Sequence, residues 1–278
     1  MVNPSRFDRT YELTVALPGN RVVTVRSPVR IAFNVSKSVA GGLNVADIKL
    51  FNLSETNRLA MARNPEDSTY VRVELKVGYG DTLALVYRGS LLRGTNSREG
   101  ADLVTTLNSK DGWTDQQNSF TSRTVKGKSG AIYALLSDMP NTARGKLTEQ
   151  PALLRPKVMV GQTMQLINSL VADDATWFID DEKLYILKND EVISSYVPVV
   201  NAATGLLDTP TRENYRLTFK TLLNPALRIG QLCEMQSVTA PYFNGIYRID
   251  AVGIMGDNYG TDWTQTVTCL AAGDYKVI

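Results

Sequence analysis

The sequence contains no histidine and only two cysteines among its 278 residues. Without histidine the chain has no Ser-His-Asp or Cys-His catalytic set, no imidazole metal ligand and no general base of the usual kind near neutral pH. Cys233 and Cys269 lie in apolar, strand-like surroundings without C-x-x-C spacing, so we expect two buried thiols rather than a disulfide. An enzyme built on this sequence would have to use carboxylates, lysine or tyrosine.

The sequence also lacks a charge excess and a long apolar run. Thirty Lys and Arg stand against 28 Asp and Glu, a formal net charge of +2, so the overall charge does not indicate a nucleic-acid or membrane-surface binder. No run approaches the roughly 18 apolar residues of a membrane helix. With 43% apolar and 21% charged residues, we expect a folded chain of about two domains without stable membrane association.

The first part of the chain has the pattern of β-strands. Apolar and polar residues alternate repeatedly over residues 11–111, most clearly at residues 71–77, which places the apolar side chains on one face of a sheet. One short helix is predicted inside this stretch, with Ser54 as its N-cap and Pro65 beyond its end. We predict a first small β-barrel domain over residues 1–120.

The middle of the chain has a different pattern. Apolar residues at helical spacing predict two short helices, near residues 132–139 and 163–171. Two apolar runs on either side of the sequence DDEK, at residues 180–183, predict a β-hairpin. Residues 121–204 are therefore predicted to form a small α+β module.

Alternation returns in the last part of the chain, for example at residues 216–223 and 245–252. The dipeptide Asn244-Gly245 is a strong hairpin signal, because both residues tolerate positive φ. We predict a second β-barrel domain over residues 205–278. The predicted fold class is a β-rich α+β protein with two small β-barrel domains separated by the α+β module.

The charge of the middle module is divided between its two halves. Residues 121–160 carry a net charge of +5, whereas residues 161–204 carry −5. The basic half is either a solvated loop or a contact patch, and the two halves can face each other or different partners.

The motifs that could carry chemistry are incomplete. The acids at residues 173–174 and 180–182 are a candidate carboxylate pair for glycoside hydrolysis, but a helix end and a hairpin turn are routine solvated positions. Gly127-Lys128-Ser129 resembles the end of a phosphate-binding loop, but Ser122 stands where that loop needs a glycine. We predict no catalytic, cofactor-binding or metal-binding site.

Several segments, taken in order, resemble one protein family. The most specific is TGLLDTPT at residues 204–211, which is similar to a TGLLGxP segment with Asp208 where a glycine is frequent. IKLFNLSETNR at residues 48–58 is similar to a strand followed by an NLS helix start. Further segments in the same order are residues 71–79, 87–89, 102–112, 223–225, 228–230, 244–249 and 256–257, and Trp263. Together, over about residues 10–270, they resemble the phage tail baseplate hub proteins, especially the compact hubs of Mu-like and related long-tailed phages.

The resemblance implies a structural virion protein of the tail tip, assembled in the host cytoplasm, with no enzymatic activity and no cofactor. It implies a homotrimeric ring with two tube-protein-like barrels per subunit, which adapts a hexameric tail tube to a trimeric central spike. The implied partners are the tail tube protein, the central spike protein, other baseplate proteins and the tape measure. Genomic DNA would pass through the ring only in transit.

Two of the family-like segments are candidates for the junctions that hold the barrels in register. The residues of this hypothesis are Asn52, Leu53, Ser54, Arg58, Gly205, Leu206, Leu207 and Pro210. Two other functions stay open: a tail-associated peptidoglycan hydrolase that uses the acidic pairs, and a receptor- or glycan-binding tail module with exposed tryptophans.

Overall fold

The computed structural model describes residues 8–40, 42–67, 69–149, 155–171, 173–271 and 276–278. The strands of this part of the chain are β1 (Arg9–Leu17), β2 (Arg21–Arg26), β3 (Ile31–Ser38), β4 (Val45–Phe51), β5 (Arg72–Tyr79), β6 (Thr82–Glu99), β7 (Asp102–Lys110), β8 (Phe120–Val125), β9 (Ala143–Leu147), β10 (Lys157–Gln162), β11 (Ala175–Asp180), β12 (Lys183–Lys188), β13 (Glu191–Val192), β14 (Val199–Val200), β15 (Thr211–Glu213), β16 (Arg216–Leu222), β17 (Leu232–Met235), β18 (Gly245–Asp257), β19 (Trp263–Ala271) and β20 (Lys276–Val277). The α-helices are α1 (Glu55–Ala60), α2 (Trp113–Asn118), α3 (Lys128–Leu136) and α4 (Thr163–Leu170).

Thirteen strands form one large sheet. Its order is β15-β16-β19-β18-β3-β4-β7-β6-β5-β1-β2, and β17 and β14 extend it beside the first half of β18. The prediction of a β-rich α+β chain is confirmed. Within the described strands the sheet does not close into a barrel, because β2 and β15 each have a paired neighbour on one side only.

The two ends of the chain meet in this sheet. β18, from the last part of the chain, pairs antiparallel with β3 from the first part over seven residue pairs. Beside this pairing, Asn258 Oδ1 accepts a hydrogen bond from the Ile31 amide at 2.8 Å, and Arg30 forms a 2.8 Å ion pair with Asp257. The two predicted β units are therefore hydrogen-bonded to each other across β3 and β18.

The main core follows the alternation of the strands. Leu13, Val73 and other alternate residues are buried on one face, and Phe33 of β3 packs edge-on against Trp263 of β19 with ring centroids 5.4 Å apart. Cys233 and Cys269 are buried free thiols in this core with their sulfur atoms 3.7 Å apart, as predicted.

The middle of the chain forms a module with its own core. β8 and β10 form a two-stranded ribbon, β11, β12 and β9 form a three-stranded sheet, and α3 and α4 pack with both. The predicted helices and hairpin are confirmed, although α3 begins four residues earlier than the apolar spacing suggested and ends at Leu136. α2 was not predicted, because its sequence WTDQQN has one apolar residue and no apolar stripe. No helix in the described part of the chain is long and apolar enough to cross a membrane.

The pairing of β3 with β18 can be tested at one glycine. Gly256 lies opposite Phe33, and a methyl group added at this position would overlap the Phe33 ring. We expect Gly256→Ala to lower the free energy of unfolding by about 1–3 kcal/mol, the usual cost of overpacking a core, in urea denaturation. Gly253→Ala is the matched control on the same strand, because its added methyl group meets open space. The free energy of unfolding of Gly253→Ala should stay within about 1 kcal/mol of that of the parent. Equal losses in both variants would contradict the close packing of Gly256 against Phe33.

Candidate assembly site

The first predicted junction segment anchors the end of β4 to β7. Asn52 has a positive φ of 55°, so the chain turns sharply there. Its side chain donates to Asp102 Oδ1 at 2.7 Å and accepts from the Leu103 amide at 3.0 Å. Leu53 is buried in the main core. This residue pair thus fixes the exit of the chain from the sheet.

The same segment continues as α1, which lies beside β2 at one end of the sheet. Ser54 caps the helix, as predicted, by accepting a hydrogen bond from the Asn57 amide at 3.4 Å. The Arg58 carbonyl accepts from the Asn96 side chain of β6 at 3.0 Å, and Arg21 of β2 donates to the helix backbone at 3.4 Å. Residues 52–58 therefore border the β2 end of the sheet.

The second predicted junction segment runs along β16 at the other end of the sheet. The Gly205 carbonyl accepts from the Leu222 amide at 2.8 Å, and the Leu207 amide donates to the Lys220 carbonyl at 2.9 Å. Leu206, between them, forms an antiparallel bridge to the same strand. The segment then continues into β15, which pairs with β16 alone.

The eight predicted junction residues therefore do not form one site. In the second segment Pro210 is buried, whereas the Leu207 side chain is exposed. The hydrogen bonds of each segment lead to strands of its own β unit, and the two segments border the β2 end and the β15 end of one sheet. Their role in holding the barrels in register stays a prediction.

The charged residues that do join distant parts of the chain were missed by the sequence analysis. Lys37 Nζ of β3 donates to Asp180 Oδ1 at 2.6 Å and to Asp181 Oδ1 at 2.8 Å, and Arg228, ahead of β17, binds Asp181 from the other side. The side chains of Lys37, Asp180 and Asp181 are at most 6% exposed. This buried ion cluster joins the middle module to both β units.

The prediction that the acidic hairpin turn is solvated was wrong. Asp180, Asp181 and Glu182 are all buried, because cations from distant segments neutralise them. One signal pointed to this: Lys37 continues the alternation of Phe33 and Val35 in β3, so it lies on the core face of the strand.

The other acidic pair is solvated, as predicted. Asp173 and Asp174 are exposed in the turn after α4, whereas Asp180 and Asp181 are enclosed in ion pairs. Within the described part of the chain, no group of three or more acids and cysteines has the arrangement of a metal site. The arrangement of these carboxylates gives no support to the hydrolase alternative.

A second layer of polar contacts surrounds the ion cluster. Glu182 forms a 3.0 Å ion pair with Arg72 of β5 and accepts a hydrogen bond from the Tyr70 hydroxyl. Its amide donates to Asp111 Oδ1 at 3.0 Å. The other carboxylate oxygen of Asp111 is buried without a hydrogen-bond partner among the described residues.

Burial and neighbouring charges shift the pKa values of this cluster in different directions. Burial alone would lower the pKa of Lys37, but the carboxylates of Asp180 and Asp181 raise it, so the ammonium stays charged. Burial raises the pKa of Asp111 well above its usual range, and the negative charge of Asp180 adds to this effect. Asp111 therefore keeps its proton to a higher pH than an exposed aspartate does, and burial raises the pKa of Glu182 in the same direction.

Part of the negative charge in the acidic half of the middle module is neutralised within the chain itself. The acids at residues 180–182 pair with Lys37, Arg72 and Arg228, which come from the flanking parts of the chain. These three acids therefore face the β units rather than the basic half. Among its described residues, the basic half has one ion pair of its own, between Arg123 and Asp138.

Comparison with known proteins gives a family and a fold. The family model described as Baseplate hub gp41 matches residues 11–269. The 43 kDa tail protein of prophage MuSo2 from Shewanella oneidensis is similar in structure, with a TM-score of 0.63 and 7% sequence identity, over 94% of this chain and 98% of that chain. The tail protein from Neisseria meningitidis MC58 has a TM-score of 0.60 and 11% identity, over 95% and 98%.

A third similar structure is the c3393 protein of E. coli, described as a component of the type VI secretion system with structural similarity to the T4 tail proteins gp27 and gp5. Its TM-score is 0.62 at 10% identity, over 94% of this chain and 78% of that chain. No curated protein sequence matches significantly. At these identities the solved structures establish a shared fold.

The ion cluster predicts an unequal response to the loss of two lysines. Lys37→Met leaves two buried carboxylates with Arg228 as their remaining cation, so we expect the free energy of unfolding to fall by about 3–5 kcal/mol. Lys49→Met is the control, because Lys49 forms a 3.0 Å ion pair with Glu99 on the surface, and should cost at most about 1 kcal/mol. Urea denaturation measures both values. Similar small losses would show that the cluster does not hold the three segments together.

The raised pKa of Asp111 predicts a pH dependence of stability. The folded chain keeps this proton at pH values at which the unfolded chain has lost it. The resulting stabilisation is complete below the ordinary aspartate value of 3.8 and is lost as pH rises through the raised folded pKa. The side chain introduced by Asp111→Asn does not titrate, so this variant does not lose stability by deprotonation at this position as the pH rises. Its free energy of unfolding, compared with that of the parent, should therefore increase from pH 3.8 towards neutral pH.

Denaturation of both chains across this range measures the difference, with Asp174→Asn as the control at an exposed aspartate. A difference between Asp111→Asn and the parent that does not change with pH would contradict the assignment of the proton to Asp111.

Proposed function

This chain belongs to the baseplate hub gp41 family, and we propose that it forms a homotrimeric ring at the tail tip that adapts a hexameric tail tube to a trimeric central spike. The family assignment agrees with the resemblance in the sequence and makes the chain a structural component of a phage tail. The ring, its partners and its assembly in the host cytoplasm are the proposed part.

The observation that carries this proposal is the pair of open edges at the two ends of the main strand order. Among the described strands, β2 and β15 each pair on one side only, as does the two-residue strand β14 on the side branch, and β2 and β15 are each bordered by one of the family-like segments. Unpaired strand edges promote association, and closure of a ring removes them. A contact between the β2 edge of one subunit and the residue 205–213 edge of the next is head-to-tail, as a ring requires.

The sixfold match to the tail tube needs two similar β units per subunit. We assign them to the predicted domains, residues 1–120 and 205–278, with the module of residues 121–204 between them. The pairing of β3 with β18 supports this assignment, because it holds the two units in a fixed register. Three subunits then offer six units to the tube and a threefold face to the spike.

The role as a DNA conduit is supported by the charges on the outer face of the sheet. Lys76 is paired with Glu12 at 2.9 Å, and Arg88 is paired with Glu74 at 2.8 Å. Cations that are already neutralised attract phosphates less strongly, so DNA can pass without stable binding. Besides the tube and spike proteins, we expect contacts with other baseplate proteins and the tape measure.

The proposed ring predicts the mass of the purified protein in solution, and it predicts that a variant at the β2 edge weakens the trimer. Sedimentation of the purified 30.6 kDa chain over a range of concentrations should show a species of three times that mass. Val22 is 57% exposed on β2, so Val22→Lys should leave the fold intact. Because a lysine on an edge strand opposes pairing with a neighbour, we expect the trimer dissociation constant to rise at least about tenfold.

Val277→Lys is the matched control, since Val277 is a 53% exposed valine on β20, outside the thirteen-stranded sheet. A strict monomer at high concentration, unchanged when the tube or spike protein is added, would contradict the ring. A trimer that Val22→Lys and Val277→Lys leave equally stable would place the contact elsewhere than at β2.

A further inference from the structure

The ribbon formed by β8 and β10 is separate from the main sheet. Among the described strands, β8 and β10 pair with each other alone, so each has one unpaired edge. The inner face of the ribbon contributes Val125 and Met159 to the core that contains α3 and α4. A two-stranded ribbon is marginally stable by itself, and a third strand or a covering surface stabilises it.

The opposite face of this ribbon, the outer ribbon face, is exposed along its whole length. The register places Phe120, Val158 and Val160 on it, with exposed fractions of 61%, 69% and 58%. Ser122 and Thr124, opposite the two valines, are exposed too. Three large apolar side chains on one short face are more than the scattered exposure that is normal for a protein surface.

Positive charge is concentrated at one end of the ribbon. Lys157 lies opposite Val125 at the end of the ribbon where Lys126 follows β8, and Arg155 precedes Lys157 by two residues. These three cations are exposed and form no ion pair within the described part of the chain, in contrast to Arg123. The acids at residues 180–182 are buried against the β units and do not neutralise this end.

We propose that the ribbon is a docking site for an acidic, extended segment of another protein. The segment adds a third strand to the free edge of β10, which carries Lys157, Val158 and Val160, and main-chain hydrogen bonds hold it there. Alternate apolar side chains of the segment cover Val158 and Val160, while its carboxylates lie beside Lys126 and Lys157. The charge complementarity selects an acidic partner and steers its approach.

The acidic half of a second copy does not supply the segment, because its exposed acids, Asp173 and Asp174, lie in a short turn after α4 rather than in an extended segment. A strand from elsewhere in a second copy is an outcome that the cross-link to Lys157 detects. The proposal rests on the proposed function in one respect, because the partner is sought among the proteins of an assembled tail.

Two measurements on assembled tails that contain the chain test the proposal. Deuterium uptake of residues 157–162 should be at least tenfold slower in tails than in the isolated chain, because a third strand protects their amides. A carbodiimide, which joins a lysine amine to a carboxylate in direct contact, should link Lys157 to an aspartate or glutamate of another tail protein. Peptide mapping then identifies the segment.

The double variant Val158→Thr, Val160→Thr removes the apolar contacts at two exposed strand positions, so the fold should be retained. We expect it to lose at least 90% of the cross-link and the slow uptake. Val238→Thr is the matched control at a valine that is 91% exposed in a loop, and it should retain both signals.

Three outcomes overturn the proposal. Uptake at residues 157–162 that is equal in tails and in the isolated chain shows that the ribbon is uncovered, and overturns this inference alone. A cross-link from Lys157 to another copy of this chain replaces the acidic partner with a second subunit. Absence of the chain from purified tails overturns the proposed function together with this inference, and mass spectrometry of the tails distinguishes that case.

Discussion

The contact of Lys37 with Asp180 and Asp181, completed by Arg228, is the interaction on which the arrangement of the three parts of the chain depends. Burying these charges has a large desolvation cost, which is offset only when the opposite charges are all in place. β3, the hairpin β11–β12 and the segment before β17 must therefore come together in one geometry. Removal of a single charge from such a cluster therefore costs more than the complete cluster adds to net stability.

β3 connects this cluster to the large sheet. The strand carries Lys37 on its core face, and it pairs with β4 on one side and with β18 on the other. The same seven residue pairs that join the two β units therefore also position the cation for the hairpin. A displacement of β18 along β3 would shift one β unit against the other and separate Arg228 from the acids that Lys37 holds. Sheet register and ion pairing are thus parts of one constraint.

The sequence allows the local elements to be predicted, but not the contacts between them. Alternation identifies the strands, and Ser54 marks the start of α1, because these signals depend on near neighbours in the chain. The helix ends at Ala60, five residues before Pro65, so the proline does not mark its end. The pairing of β3 with β18 joins residues more than two hundred positions apart, and no local pattern encodes it. The acidic turn at residues 180–182 was misjudged for the same reason, since its cations come from elsewhere. The lysine within the apolar alternation of β3 was the one local clue.

The distribution of satisfied and unsatisfied groups indicates a subunit built for assembly. In the interior, the acids of the cluster are neutralised by cations from distant segments. At the surface, β2 and β15 have unpaired edges among the described strands, and the outer ribbon face exposes Phe120, Val158 and Val160. A monomeric protein ordinarily protects strand edges and limits exposed apolar patches. Since these open features lie on different elements, the proposed contacts with copies of the chain and with other proteins use separate surfaces. The proposed ring requires this separation, because the edges that join the subunits are then not the surfaces that bind the partners.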